Sequence, residues 1–218
     1  MKAPASHEFC AIMIGIIAGG CSGNQERITA RMEHQIQVTV TKKGEEFLRG
    51  GHVWVFADEI IAHAGTGTAG DIAGVYSEKG KYLGSGFWNP HSKIQVRIVT
   101  KNANDRFDPA FWERKLRWAL EYRRSVMGET DFSCCRLIFG EADAFPGWTV
   151  DRFGDVLVSQ VLSLGIEVNK HLLYPALLRL LREEFGQEIR VLYERNDAAI
   201  RELEGLRQEK GFWQGEGL

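Results

Sequence analysis

The sequence lacks both a long apolar run and a strong excess of charge of either sign. The apolar stretch at residues 11–20 is too short to cross a bilayer as a helix. The 27 basic and 29 acidic side chains nearly cancel, which leaves a formal charge of −2. This balance neither proves nor excludes a nucleic-acid partner, because local patches decide that. A composition of 44% hydrophobic and 26% charged residues is typical of a globular chain and argues against disorder.

Cysteine is scarce, with four residues in the whole chain. Cys134 and Cys135 are adjacent, which is a poor geometry for a disulfide between them. No CxxC or Cys/His spacing suggests zinc, so we expect no metal site. The absence of a disulfide framework suits a reducing compartment, and we expect a cytoplasmic protein.

The first 31 residues have two competing interpretations. Small apolar residues followed by Cys21 resemble a bacterial lipoprotein signal, in which this cysteine would carry the lipid. However, Lys2 is offset by Glu8, and Ala18 stands where a larger apolar residue is usual. We favour the second interpretation, in which the natural start is Met32 and residues 1–31 are an unstructured extension. A membrane contact is expected only if the signal is real.

The patterning predicts an α+β protein whose first domain, at residues 32–104, is a β-rich barrel or sandwich. Polar and apolar residues alternate at 35–40, as in a half-buried strand. Glycines between positions 44 and 86 recur at intervals that suit short strands and tight turns. Further strands are expected at 73–76, 82–87 and 94–99, with a turn at 78–81.

A connecting helix and a second domain are predicted to follow. Asp108 and Pro109 have the N-cap and first-position chemistry of a helix, which we expect to run to about Val126 within a connecting segment at 105–130. Residues 131–218 are expected to form a small α/β domain with a mainly antiparallel sheet. Its predicted strands are 137–139, 148–152, 156–162 and 189–193. Its predicted helices are 168–184, which contains Pro175, and 198–206, and the last four residues are expected to form a turn.

Three stretches are more specific than the composition, and they carry a resemblance to a known family. The first comprises residues 49–56 with 70–71 and 84–90, the second is 136–152, and the third is 193–196 with Arg201 and 204–206. Together they resemble the bacterial SAM-dependent ribosomal RNA large-subunit methyltransferase I family. The resemblance covers about residues 38–218. It departs from the family at the doubled glycine 50–51 and at Val53, where proline is usual.

The resemblance implies a PUA-like barrel, then a small α/β domain, then a Rossmann-like domain that binds SAM and methylates carbon 5 of a cytosine. A SAM site needs a strand that leads into a glycine-rich turn and a helix. Residues 65–70 look superficially similar, but residues 71–75 after them are typical of a strand. We therefore expect a C-terminally truncated chain without catalytic or cofactor-binding residues, which is not catalytically competent alone. SAM is implied only for the full-length family.

Cysteines and acidic residues raise other possibilities for catalysis. A thiolate could add to a cytosine ring, but Cys134 and Cys135 enter a predicted strand, where packing is the favoured role. Acidic residues flank predicted turns, where they commonly satisfy backbone amides rather than act as acid–base pairs. These are Glu141, Asp143, Asp151 and Asp155. We also expect Glu194–Arg195 and Arg201–Glu204 ion pairs beside the short second helix.

Two groups of residues are candidates for RNA contact. The segment 93–136 has ten basic and six acidic side chains, and within it Arg97, Arg117 and Arg124 could lie along an RNA backbone. A solvated helix face is the open alternative. The second group follows from the resemblance to PUA domains, whose early helix and adjoining strand face RNA. It comprises Lys42, Lys43, Arg49 and His52. Trp54 lies nearby, but its alternating apolar context favours core packing over stacking on a base.

The leading hypothesis is therefore the RNA-binding, substrate-positioning part of a ribosomal RNA methyltransferase. Its expected partners are ribosomal RNA and a separate or downstream SAM-binding domain. One alternative is a standalone PUA-type RNA-binding module without catalysis. The other is a lipid-anchored envelope protein, which requires the signal at Cys21.

Overall fold

A computed structural model of the chain describes residues 35–216, apart from the side chains at positions 129 and 130. The two interpretations of the first 31 residues lie outside this part. All described residues belong to one compact unit. No helix within them combines the length and apolarity that a membrane crossing needs.

The first sheet has six strands in the order β2-β6-β5-β4-β1-β3 and curls into a half-barrel. Its only parallel pair in this part of the chain joins β1 to β4, and the other neighbours are antiparallel. The strands are β1 (Ile36–Val40), β2 (Trp54–Phe56), β3 (Ile60–Gly65), β4 (Ile72–Ser77), β5 (Tyr82–Trp88) and β6 (Ile94–Thr100). The strands predicted from alternation are thus confirmed to within one or two residues.

Valines from four strands fill the inside of this half-barrel. Val38, Val55, Val75 and Val96 are completely buried, as expected for inward positions of alternating strands. A helix, α1 (Lys42–Arg49), follows β1 and begins at Thr41, whose Oγ1 accepts a hydrogen bond from the Gly44 amide. The predicted turn at 78–81 joins β4 to β5.

A long helix, α2 (Pro109–Phe132), leaves the first sheet where the Asp-Pro pair predicts it. Asp108 Oδ1 accepts the Phe111 amide at 2.8 Å, which satisfies one of the free donors of the first turn. Gly128 interrupts the helical geometry with φ 68° and ψ 177°. The predicted end near Val126 therefore lies close to this break, and a short helical segment follows it.

The second sheet has five strands in the order β11-β10-β9-β8-β7. Three of its four pairings are antiparallel, and β9 and β10 run parallel, which confirms the predicted α+β class and the mainly antiparallel sheet. The strands are β7 (Arg136–Phe139), β8 (Trp148–Phe153), β9 (Val156–Val161), β10 (Val191–Asn196) and β11 (Glu209–Gln214). Short 3-10 helices, η1 (Gly140–Asp143) and η2 (Ala199–Glu204), follow β7 and β10. The 3-10 segment Ala57–Glu59 lies between β2 and β3.

One helix, α3 (Leu164–Glu183), connects β9 to β10 and packs against α2 and the second sheet. It begins four residues earlier than predicted and continues through Pro175. Pro175 is the twelfth of its 20 residues, and the flanking residues Tyr174 and Ala176 are buried. Packing of this apolar face offsets the lost backbone hydrogen bond. Strand β11 was not predicted, since its exposed edge position leaves no alternation in Glu209–Gln214.

The two sheets meet through an aromatic contact. Phe87 of β5 stacks on Trp112 of α2, with ring centroids 5.8 Å apart and planes within 4°. On the other side of Phe87, α3 approaches so closely that a Cβ on Gly165 would lie 2.0 Å from Phe87 Cγ. The glycine is therefore required by packing between the two halves, and both sheets contribute to one core.

Replacing Gly165 by alanine should destabilise the protein by about 1–3 kcal/mol, the usual cost of overpacking a filled core. Chemical denaturation measures this loss. Gly211→Ala is the matched control, because a Cβ there meets nothing within 4 Å. A Phe87→Ala, Gly165→Ala double variant should lose less stability than the sum of the losses in the two single variants. Equal stability of Gly165→Ala and Gly211→Ala would contradict the proposed contact.

Candidate nucleic-acid interface

The exposed face of α1 carries cations that are held only by weak ion pairs. The Lys42 side chain is 86% exposed, and its Nζ lies 4.0 Å from Glu46. Arg49 Nε donates to Glu45 at 2.8 Å, also at the surface. Exposed i,i+4 pairs contribute a few tenths of a kcal/mol, so a phosphate could compete with these carboxylates for the cations.

A depression of about 420 Å³ separates this face of α1 from the turn between β4 and β5. Lys79 and Lys81 of that turn line it together with Lys42 and Arg49, and the carboxylates of Glu45, Glu46 and Glu78 share the lining. Residues distant in sequence therefore add two cations to the predicted patch. These two lysines were not predicted, because nothing in the sequence of the turn indicates that it lies next to α1.

An exposed aromatic platform lies on the other side of α1. Phe47 is 45% exposed, the Lys43 ammonium lies 5.4 Å from its ring centroid, and the His52 ring lies 6.1 Å away. A cation beside an open ring can stack an unpaired base and hold its phosphate. Phe47 was not predicted; its signal is the i,i+4 spacing from Lys43, which places both side chains on one exposed face of α1.

Trp54 joins the predicted RNA face to the second half of the chain. It is half-buried, and its Nε1 donates to Glu141 Oε1 at 2.9 Å. His52 Nδ1 accepts from the Trp54 amide at 3.3 Å, which orients the imidazole. His52 thus remains available at the surface, whereas Trp54 is held by a carboxylate.

The two predicted arginines of α2 differ in their surroundings. Arg117 makes two hydrogen bonds of 2.6 Å to Glu184, and this interaction raises the pKa of the Arg117 guanidinium. Arg124 is exposed, lies 4.5 Å from the Phe185 ring centroid, and has no ion pair within residues 35–216. Of the two, Arg124 keeps its charge free for a phosphate.

Arg97 lies in the interior, not on the predicted surface. Its side chain is 13% exposed and its guanidinium pairs with Glu204 at 2.8 Å and Glu141 at 3.5 Å. It also lies 5.7 Å from the Trp54 ring centroid. Contact between Arg97 and RNA stays a prediction.

A buried polar junction surrounds Glu204, which is 4% exposed. Its carboxylate accepts Ser92 Oγ at 2.5 Å and Asn89 Nδ2 at 3.2 Å, besides Arg97. Asn89 Nδ2 also donates to the Glu204 backbone carbonyl at 3.1 Å. Because Trp54 and Glu141 contact the same arginine, residues from all three sequence stretches meet here.

The prediction of Glu194–Arg195 and Arg201–Glu204 ion pairs beside η2 is wrong. Arg201 instead donates to the Val161 carbonyl and pairs with Glu167 at 3.2 Å. Glu194 accepts from Lys170 at 3.0 Å. Arg201 and Glu204 contact different sheets, so this helix is secured on two sides and not by an internal pair.

The acidic residues of the second stretch have structural partners. Asp143 accepts the Phe139 amide and an Arg123 nitrogen, both at 2.6 Å. Asp151 makes bonds of 2.7 and 3.0 Å to Arg136. Asp143 thus has the predicted role of accepting a backbone amide, whereas Asp151 lies in β8 and pairs with Arg136 of the neighbouring strand.

The two described cysteines show no activation. Burial raises the pKa of the Cys135 thiol, which disfavours the thiolate, and Cys134 is exposed. Within residues 35–216 no three His, Cys, Asp or Glu side chains are grouped as metal ligands would be.

The described residues do not fit SAM. The glycine-containing segment 65–70 leads into β4 and not into a helix, and a Cβ on Gly67 would lie 2.4 Å from Ile36 Cδ1. In the parallel β9–α3–β10 crossover, the start of α3 is packed against Phe87 at Gly165. Neither place leaves a free backbone turn for a cofactor.

Comparison with known proteins supports the two-part organisation. Residues 38–101 match a family described as PUA-like domain. A ribosomal RNA large subunit methyltransferase I from Tolumonas auensis is 35% identical over 179 residues, which is 82% of this chain and 44% of that protein. The Escherichia coli O139:H28 protein of the same name is 33% identical over 181 residues, covering 83% and 44%.

Solved structures show the same fold at much lower sequence identity. A crystal structure described as a candidate methyltransferase complexed with SAH superposes with a TM-score of 0.65 at 14% identity. The superposition covers 84% of this chain and 43% of the other chain. A candidate SAM-dependent methyltransferase from Streptococcus mutans gives the same TM-score and identity, covering 84% and 44%.

The fold and the sequence match define a PUA-like domain joined to a small α/β domain. By sequence, more than four fifths of the chain is similar to members of the ribosomal RNA large subunit methyltransferase I family, which confirms the resemblance. It spans 44% of the length of these curated relatives.

The polar junction generates a stability prediction. Glu204→Ala should destabilise the protein by about 3–5 kcal/mol, because it leaves the Arg97 charge buried and without its main partner. Glu202→Ala is the matched control in the same 3-10 helix, and since Glu202 is exposed its loss should stay within about 0.5 kcal/mol. Urea denaturation compares them, with Glu204→Gln as a milder variant of similar shape. Equal losses at positions 202 and 204 would show that the junction does not stabilise the fold.

Proposed function

We propose that residues 35–216 bind ribosomal RNA and position it for SAM-dependent methylation of a large-subunit cytosine at carbon 5. The observation that carries the proposal is the surface of α1. There Lys43 and His52 lie beside the exposed Phe47, and Lys42 and Arg49 lie on the other exposed side of the same helix. Ammonium and guanidinium groups suit phosphates, and the open ring suits an unpaired base.

The methyl donor is proposed to bind a domain outside residues 35–216. The described residues do not fit SAM, while the curated relatives are named as methyltransferases and are more than twice as long as the aligned part. A ribosomal RNA substrate agrees with the cytoplasmic location expected from the cysteines. In this division of labour, the present residues bind and orient RNA, and the other domain supplies the methyl group.

The RNA surface is tested by a Lys43→Ala, Arg49→Ala double variant. Affinity for ribosomal RNA fragments should fall, because two cations that face solvent are lost. The logarithmic salt dependence should decrease by about 0.7 for each lost phosphate contact to a single strand. Fluorescence anisotropy titrations at several salt concentrations measure both quantities.

The matched control is Arg182→Ala with Lys210→Ala, which removes two exposed cations from α3 and β11. This control should keep both the affinity and the salt slope of the unmodified chain. An α1 variant that binds as tightly as the control, with the same slope, would remove α1 from the interface.

SAM binding is tested by isothermal calorimetry on the 218-residue chain. No heat of binding is expected at micromolar SAM, since both glycine-containing turns are closed by packing. Binding with a micromolar dissociation constant would overturn the proposed placement of the donor site. The thermal midpoint in the presence of SAM, which should not move, is an independent measure.

A further inference from the structure

A second surface, distinct from α1, runs along the outer side of α2. Two adjoining hollows of about 870 and 230 Å³ share Ala142 and Asp143 of η1. The larger continues over Val126 and Met127 to β7 and β8, and the smaller reaches Lys115 at the other end. We call this continuous hollow the α2 groove.

Large aromatic rings line the α2 groove yet remain open to solvent. Tyr122 is 58% exposed, Phe139 is 53% exposed and Trp118 is 54% exposed. Trp118 and Tyr122 lie one helical turn apart, roughly 6 Å along the axis. A contiguous exposed patch of this kind marks an interaction surface, whereas scattered exposed apolar residues do not.

An arginine accompanies each of these rings. The guanidinium carbons of Arg114, Arg123 and Arg136 lie 5.6, 5.1 and 5.2 Å from the centroids of Trp118, Tyr122 and Phe139, respectively. All three arginines also have carboxylate partners, namely Asp105, Asp143 and Asp151. The α2 groove is therefore closer to neutral than the α1 face, and stacking is its main chemistry.

A buried ion pair forms the polar floor of the α2 groove. The side chains of Arg123 and Asp143 are 11% and 9% exposed, and their atoms lie 2.6 Å apart. Both hydrogen bonds to Asp143, from Arg123 and from the Phe139 amide, end on Oδ2. This leaves Oδ1 as an acceptor for an amino group, such as the exocyclic amine of a nucleobase.

We infer that the α2 groove takes consecutive unpaired nucleotides of the RNA, a proposal that rests on the proposed function. Bases would stack on Trp118, Tyr122 and Phe139, with an amino-bearing base facing Asp143. The roughly 6 Å step from Trp118 to Tyr122 exceeds the 3.4 Å rise of stacked bases, so neighbouring bases must separate. This selects single strands and disfavours duplexes.

The charge of the surrounding segment favours RNA over a protein partner. The lining of the α2 groove holds Lys115, Arg123 and Arg136 against Asp143 and Asp151, and exposed Arg124, next to Arg123 in α2, has no ion pair within the described chain. A polyanion complements this small cationic excess, and ring–guanidinium pairs are typical of surfaces that stack bases. Docking of another protein segment is the competing outcome that the experiment separates.

The test replaces Tyr122 and Phe139 by alanine, singly and together. Loss of one stacking ring should weaken binding of an unstructured RNA oligonucleotide about tenfold. The salt slope should stay unchanged, because no phosphate contact is removed. Tyr122→Phe should bind as the unmodified chain does, since it keeps the ring. Binding of a blunt RNA duplex should be the same for all variants.

A matched control removes exposed apolar side chains elsewhere, through Val168→Ala and Ile200→Ala, which are 45% and 54% exposed in the parent chain. Circular dichroism verifies that every variant folds. Unchanged single-strand affinity in the Tyr122→Ala, Phe139→Ala variant would overturn the α2 groove as an RNA site. If the α1 double variant still weakened binding, the proposed function would survive that result.

Sedimentation velocity distinguishes the protein-docking outcome. If the α2 groove binds another copy of the chain, the unmodified chain should associate and the ring variants should not. If the ring variants lost self-association but kept their affinity for RNA, the proposal would be contradicted. A chain that stays monomeric, and whose ring variants lose single-strand affinity only, is the result expected.

Discussion

The structure depends on the buried carboxylate of Glu204. This group comes from the second half of the chain, yet its partners Ser92, Asn89 and Arg97 belong to the first sheet. A buried charge is tolerated only when hydrogen bonds and an opposite charge surround it. The junction therefore forms only when both sheets are in place.

Apolar packing gives the junction its rigidity. Phe87 fills the space between Trp112 and the backbone of Gly165, while Trp54 reaches across to Glu141. Because the PUA-like sheet and the α/β sheet are held in this way, α1 and the α2 groove lie on the same rigid unit. The proposed substrate-positioning role needs such rigidity, because a small displacement of a reacting group is costly for catalysis.

The sequence predicted the regular elements well, because they follow from local patterns. The alternation at 35–40 and the Asp-Pro start of α2 depend on neighbouring residues alone, and both were confirmed. Strands β2, β3 and β11 escaped prediction, because β2 has only three residues and the side chains of β3 and β11 are mostly exposed on both faces. Long-range partners could not be predicted either, since Arg201–Glu204 was a plausible local pair until the fold placed Glu204 against Arg97. Likewise, Lys79, Lys81 and Phe47 joined the candidate interface only through the proximity of distant segments. How RNA is divided between α1 and the α2 groove remains a proposal.

Ultraviolet crosslinking of the 218-residue chain to a ribosomal RNA fragment, followed by mass spectrometry of the linked peptides, tests the central claim most directly. The account predicts crosslinks at Phe47 or His52 beside α1 and at Tyr122 or Phe139 in the α2 groove. Crosslinks confined to β11 and the exposed side of α3, or none above those of an unrelated globular protein, would contradict it.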